Sequence, residues 1–196
     1  MDLMKRRREM LAGIKSRLPK EYQEVEYVKA LYESGKSYQT QCFVCTNLTF
    51  TGVTKIVCKF GVGAFSGNQQ PMFIASHASG STTPVSPYIT VSQANGFSSI
   101  SPKHYPGPFA GIIDTYTITS DGSIQNKYMR IGGWSDVQWT AEGMWYFVEV
   151  YDANGIVASF IPCYRKTDSK AGFYDIINNA FYSSDGQYDF VAGPKV

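Results

Sequence analysis

The sequence predicts an all-β fold, a sandwich of two antiparallel sheets behind a short N-terminal helical arm, and three observations carry that expectation. Apolar residues recur with period two along most of the chain. Beyond the first 18 residues no stretch keeps a 3.6-residue apolar period for more than two turns, and Gly, Pro, Asn and Asp punctuate the apolar runs. Of the 196 residues 43% are hydrophobic and 15% aromatic, enough for one buried core, whereas charged residues at 17% fall below the ~25% usual in globular chains. That length suits one domain with an appendage. The division read here is an arm over residues 1–18 and a sandwich over 19–196.

The arm comes first. Met4, Leu11, Ile14 and Leu18 are spaced by seven, three and four residues and form one stripe on a helix, with Lys5, Arg6 and Arg8 off that stripe. Pro19 stops the helix. Lys5, Arg6, Arg7, Arg8, Lys15 and Arg17 face only Asp2 and Glu9 here, so the formal charge of +2 belongs to the arm and the remaining chain is slightly acidic. A lone helix this short is marginal in water and needs a partner to stay folded. Four consecutive basic residues can touch phosphate but read no sequence, and no aromatic side chain interleaves them, so specific nucleic-acid binding is not expected. Only Met10 to Ile14 follow the basic run as an apolar stretch, too short for a signal peptide or a membrane span.

The strands follow in order. Tyr22 to Val28, Tyr38 to Cys45, Thr54 to Val62, Met72 to Ala75, Tyr88 to Ser92, Ile112 to Thr119, Tyr128 to Ile131, Met144 to Tyr151 and Ile156 to Ile161 read as strands. Ile56, Cys58, Phe60 and Val62 share one face and Lys55 and Lys59 the other, which gives that strand one wet side. Asp152-Ala153-Asn154-Gly155 interrupts the last two strands, and its Asn-Gly pair supplies the positive φ angles of a hairpin turn. Ser76 to Pro87 and Pro102 to Pro108 are rich in Ser, Thr, Gly or Pro and read as surface loops. Pro162 is expected to end the strand before it, and the polar run beyond to be a loop. Phe173, Tyr174, Ile176, Ile177, Phe181 and Tyr182 return the chain to the core, with Asn178-Asn179 as the turn between them.

Few residues carry chemistry. Cys42 and Cys45 form a CxxC pair, but positions i and i+3 on a strand point to opposite faces, and Cys58 and Cys163 are single and distant. No metal ion is expected, and the four thiols read as structural. His77 and His104 fall in expected loops, and no GxSxG elbow or phosphate-cradling glycine loop occurs, so no catalytic residues and no cofactor are expected. Glu24 and Glu26 share a strand face, as the two carboxylates of a glucanase-like hydrolase would require, and Asp136 is a conceivable partner with nothing in the sequence to support it. A solvated edge strand explains the pair better. Sugar binding asks only for an aromatic face and a few fixed polar groups, which Tyr105, Trp134 and Trp139 could supply, whereas Trp145, among Met144, Tyr146 and Phe147, reads as core.

Two ends of the chain carry a family pattern. Arg17-Leu18-Pro19 followed by Tyr22-Gln23-Glu24-Val25-Glu26-Tyr27-Val28 forms the opening. Phe160 to Asp168, Ala171-Gly172-Phe173-Tyr174-Asp175, Asn178-Asn179-Ala180-Phe181-Tyr182 and Phe190-Val191-Ala192-Gly193-Pro194 form the close. Together they resemble LamG-like, concanavalin A-like jelly-roll modules of bacteriophage virion proteins and of prophage regions in gut bacteria. Leu31 to Thr40 keeps only the outline of the family's next segment, and the Glu-x-Asp-x-x-Glu strand of glucanases in that class is not present.

The resemblance implies a jelly-roll fold and a virion setting. The expectation is then a non-enzymatic virion structural protein, a fibre, decoration or adhesion protein on head or tail, made in the bacterial cytoplasm without a signal peptide. Its arm residues Met4, Lys5, Arg6, Arg7, Arg8, Leu11, Ile14 and Leu18 would dock on another virion protein, and its outward task would be attachment to host-surface glycans. A homo-oligomer, a trimer by analogy with phage appendages, is expected, with no membrane contact. The alternative is a bacterial surface or secreted lectin-like carbohydrate-binding module.

Overall fold

The computed structural model describes residues 18–30, 44–62, 72–78, 84–94, 97–101, 105–106, 113–119, 127–131, 143–185 and 188–196. Among these there is no helix, and the fold is all-β. The strands are β1 (Tyr22–Glu24), β2 (Val28–Ala30), β3 (Val44–Phe50), β4 (Lys55–Val62), β5 (Met72–Ala78), β6 (Pro84–Ala94), β7 (Phe97–Ser101), β8 (Tyr105–Pro106), β9 (Ile113–Thr119), β10 (Lys127–Ile131), β11 (Gly143–Tyr151), β12 (Ile156–Arg165), β13 (Ala171–Asp175), β14 (Ala180–Ser183) and β15 (Val191–Ala192). The expected helix over residues 1–17 lies outside the described residues.

The strands form two antiparallel sheets. One has six strands in the order β3-β10-β5-β6-β7-β8. The other has nine, with β14-β13-β12-β11-β2-β15 as its main path, β1 beside β12, and β4 and then β9 beyond the opposite edge of β11. The nine-stranded sheet is built on the hairpin that Asp152 to Gly155 closes. Asp152 Oδ1 accepts from the amides of Asn154 at 2.7 Å and Gly155 at 3.0 Å, and Gly155 takes φ 141°, which a side chain would oppose.

That hairpin opens like a wedge. Val148–Tyr151 pairs with the first half of β12, but Gly143–Trp145 pairs with β2, and Cys163–Arg165 at the far end of β12 pairs with β1. Residues 22–30 therefore fill the space where β11 and β12 diverge. The C-terminal residues close over them: Glu26 donates its amide to Pro194 O at 2.8 Å, Gly193 donates to Tyr27 O at 2.8 Å, and Val25 bridges Lys195.

The main core lies on one face of this sheet. Ile56, Cys58 and Phe60 of β4 are fully buried opposite Val150, Val148 and Trp145 of β11, and Val28, Phe160, Phe173 and Phe190 complete the cluster. A bulge between Trp145 and Phe147 sets two residues of β11 against Lys59, and this keeps Trp145 inward. Ile131 of β10 joins the cluster from the six-stranded sheet. Each large side chain buried here contributes about 1.5–3 kcal/mol.

Several expectations need correction. Pro162 does not end its strand, because β12 runs on to Arg165. A residue's amide and carbonyl point to the same edge of a strand. The Pro162 carbonyl accepts from Val25 at 3.1 Å, so the missing donor faces Val25 where β12 passes from β11 to β1, and pairing with β13 on the other edge carries the strand past that one forgone bond. The strand read from Tyr22 to Val28 is two strands with a bend at Glu26, because the segment changes partners there from β12 to β11. Ser76 to Ala78 and Pro84 to Pro87 are strand rather than loop. His77 faces Pro84 and Tyr128 across β6 and β10, which satisfy the backbone that a loop would have left to water. Tyr105–Pro106 likewise pairs with Ser99 and Ile100. Ile177 is 40% exposed, on the turn rather than in the core.

Candidate functional site

The root of the arm is the best-defined feature outside the main core. Strand β12 is apolar on both faces: Ala158 and Phe160 enter the main core, while Ile161 and Cys163 join a second, separate cluster. That outer cluster consists of Leu18, Ile161, Cys163 and Tyr174, with Tyr22, Ile176 and Phe181 packed against it. The Tyr22 ring lies 4.8 Å from that of Tyr174 and 5.1 Å from that of Phe181. The Arg165 guanidinium sits 5.2 Å above Phe181 and is bound by Asp168 through two hydrogen bonds, Nε to Oδ1 at 3.1 Å and Nη2 to Oδ2 at 2.5 Å.

Backbone bonds fix the same region. Tyr22 donates to Pro19 O at 2.9 Å, Lys166 donates its amide to Glu21 O at 2.8 Å, and Lys166 Nζ reaches Lys20 O at 2.6 Å. The chain is therefore stapled to the sheet from Leu18 onward. Of the expected anchoring residues, Leu18 is placed, 7% exposed in this cluster. Met4, Lys5, Arg6, Arg7, Arg8, Leu11 and Ile14 lie outside the described residues.

The outward face of β4 and β11 forms a second surface. Lys55 and Lys59 point away from the core, as their alternation requires. Lys55 Nζ lies 3.9 Å from the Tyr151 ring centre, and Lys59 Nζ lies 4.6 Å from that of Tyr146. Tyr151 donates to Glu149 Oε2 at 2.8 Å, and Tyr27 packs 5.5 Å from Tyr146. Burial and the nearby Glu26 carboxylate push the Tyr146 hydroxyl above its ordinary range, so it stays a neutral donor at physiological pH. This surface holds cations over aromatic rings with the Tyr146 hydroxyl beside them. Sequence reasoning placed the two lysines on this face but did not connect them to tyrosines on a strand far along the chain.

The expected sugar contacts are not brought together by what is described. Tyr105 lies on β8 opposite Ile100, at one end of the six-stranded sheet. Trp134 and Trp139 lie outside the described residues, as do Asp136, Cys42 and His104. Cys45 is on β3, opposite Arg130.

The buried groups with latent chemistry serve structure. Asp175 is fully buried, and its Oδ1 accepts from the amides of Ser159 at 3.0 Å, Ile177 at 2.9 Å and Asn178 at 3.3 Å, while Oδ2 accepts from Asn178 Nδ2 at 2.6 Å. These bonds, with Asn179 at φ 53°, shape the β13–β14 turn. Burial raises the Cys58 thiol far above its ordinary range, and burial with the nearby Glu24 charge pushes Cys163 up to about 12. Neither is a thiolate at neutral pH. Among the described residues no group of His, Cys, Asp and Glu side chains is placed to hold a metal ion, and no helix is long and apolar enough to cross a membrane. Comparison with family models, with curated proteins and with solved structures finds no match.

Proposed function

We propose that this chain is a non-enzymatic structural protein of a bacteriophage virion, a jelly-roll sandwich displayed on head or tail, tethered through its basic arm and turned outward for host-surface attachment. The observation that carries this reading is the fixed root of the arm. Leu18 is buried and residues 20–22 are bonded to the β12–β13 region, so a load on the arm passes directly into the nine-stranded sheet. A tether that led into a slack linker would not hold the body in one orientation. Two antiparallel sheets contributing to one core support the sandwich, and the resemblance at both chain ends supports the virion setting.

The partners under this reading are other virion proteins, further copies of the chain and a host glycan. The test is mass spectrometry of purified virions from the phage carrying this gene. The chain is expected in stoichiometric amount, and a variant lacking residues 1–16, with Leu18 kept, is expected to be missing from particles while remaining folded. A chain found only in the soluble lysate would overturn the reading.

A second reading, a bacterial lectin-like carbohydrate-binding module, is favoured by one observation, the tyrosine and lysine surface on β4 and β11. Retention on a glycan array, lost in Tyr105→Ala, Trp134→Ala or Trp139→Ala, would locate such a site where the sequence expects it. Loss in Tyr146→Ala instead would place it on the outward sheet face.

A further inference from the structure

We propose that the turn between β11 and β12 carries a modification site, Asn154, and that the Asp152 carboxylate holds its deamidation in check. Asp152 to Gly155 alone joins Tyr151 to Ile156, which face each other across the hairpin. Asn154 and Gly155 are both exposed, and the place where a Gly155 side chain would lie is open space. Glycine after asparagine is a reactive context, because no side chain shields the backbone nitrogen that attacks.

In the reaction the Gly155 nitrogen gives up its proton and bonds to the side-chain carbonyl carbon of Asn154. The bond from that carbon to the side-chain nitrogen breaks, ammonia leaves with the proton, and a cyclic imide remains. Water then opens the imide at one of its two carbonyls. The product is aspartate or, where the main chain is rerouted through Cβ, isoaspartate.

The nucleophile of that reaction is already engaged. Gly155 N donates to Asp152 Oδ1 at 3.0 Å, the same oxygen accepts from Asn154 N at 2.7 Å, and Gly155 O accepts from Asp152 N at 2.9 Å. To attack, the Gly155 nitrogen must leave this oxygen and shed its proton. Negative charge developing on it is then repelled by the carboxylate beside it. A carboxylate is also far too weak a base to keep an amide proton. Asp152 therefore acts as a guard and not as a general base.

The guarded position matters for the fold. Isoaspartate adds a backbone atom to the turn, and the pairing of Val150 with Ala158 and of Tyr151 with Ile156 has to shift to admit it. The inference stands on this turn alone and does not depend on the virion reading.

The test follows conversion of Asn154 by peptide mass spectrometry in the full chain, held in mildly alkaline buffer, and in Asp152→Ala and Asp152→Asn. Asn95-Gly96, the same dipeptide elsewhere in the sequence, lies outside the described residues and serves as the reference within the chain. Asp152→Ala removes both acceptor and charge, and Asn154 is expected to convert at least about tenfold faster, the factor that a charge-assisted hydrogen bond is worth. Asp152→Asn keeps an acceptor without the charge and is expected to fall between, and it decides alone if a urea transition shows Asp152→Ala to be unfolded. Conversion of Asn95 is expected to stay unchanged in the folded variants. An unchanged or slower conversion of Asn154, or an equal rise at Asn154 and Asn95, would overturn the proposal.

Discussion

The amide of Val25 donates to the carbonyl of Pro162 at 3.1 Å, and this bond marks the point where β12 exchanges β11 for β1 as its neighbour. Val25 is 2% exposed, and the amide has no water to turn to. Val25→Pro removes the donor and leaves the Pro162 carbonyl buried without it. The expected loss is about 1–3 kcal/mol, read as a lower urea midpoint, with Val25→Ile close to wild type. A wild-type midpoint in Val25→Pro would show that the wedge of residues 22–30 is not held there.

Asp175 ties the β13–β14 turn to Ser159 on β12. Asp175→Ala strips one acceptor from several amides at once and is expected to destabilise by about 1–3 kcal/mol or more. Asp175→Asn, which keeps one carbonyl oxygen, should lose less. Chemical denaturation of the two variants side by side checks the order.

Gly172 packs against the next strand with no room for a side chain. A Cβ there would press into the carbonyl oxygen of Tyr182 on β14, far inside van der Waals contact. Gly172→Ala is expected to cost about 1–3 kcal/mol through forced separation of β13 and β14. Amide exchange in Ala180–Ser183 should quicken well before exchange in β11, since β14 lies at the end of the sheet path.

Asp168 gives a pH signature. The Arg165 hydrogen bonds hold its carboxyl down to about 2, below its ordinary value of 3.8. A folded pKa below the unfolded one means stability that is present above the ordinary carboxylate range and disappears as pH falls through it towards 2. The pair is more than a third exposed, so the effect is small. Asp168→Asn should lower the thermal midpoint slightly at pH 7 and leave it unchanged near pH 2, and an equal difference at both pH values would contradict the pairing.

Local pattern made part of this architecture readable. Period-two alternation placed Ile56, Cys58 and Phe60 on the buried side and Lys55 and Lys59 on the other, because one pleated strand fixes which side chains share a face. Asn154-Gly155 and Asn178-Asn179 announced their turns through backbone preference, and Trp145 announced its burial through its apolar neighbours. The structure added what depends on neighbours distant in sequence. Pro162 reads as a stop until the strands beside it are known, since its carbonyl still accepts from Val25 and pairing with β13 on the other edge carries the strand past the missing donor. His77 reads as loop until β6 and β10 supply its ladder.

Leu18 shows the same division most clearly. By itself the sequence determined an all-β chain of alternating strands and a spaced apolar stripe in the arm, because these follow from local geometry. Only the tertiary structure decided that the last residue of that stripe belongs to the body. The two-sided burial of β12 arises when β1, β13 and β14 are brought around it, and covering an apolar face is a requirement set by contacts rather than by spacing.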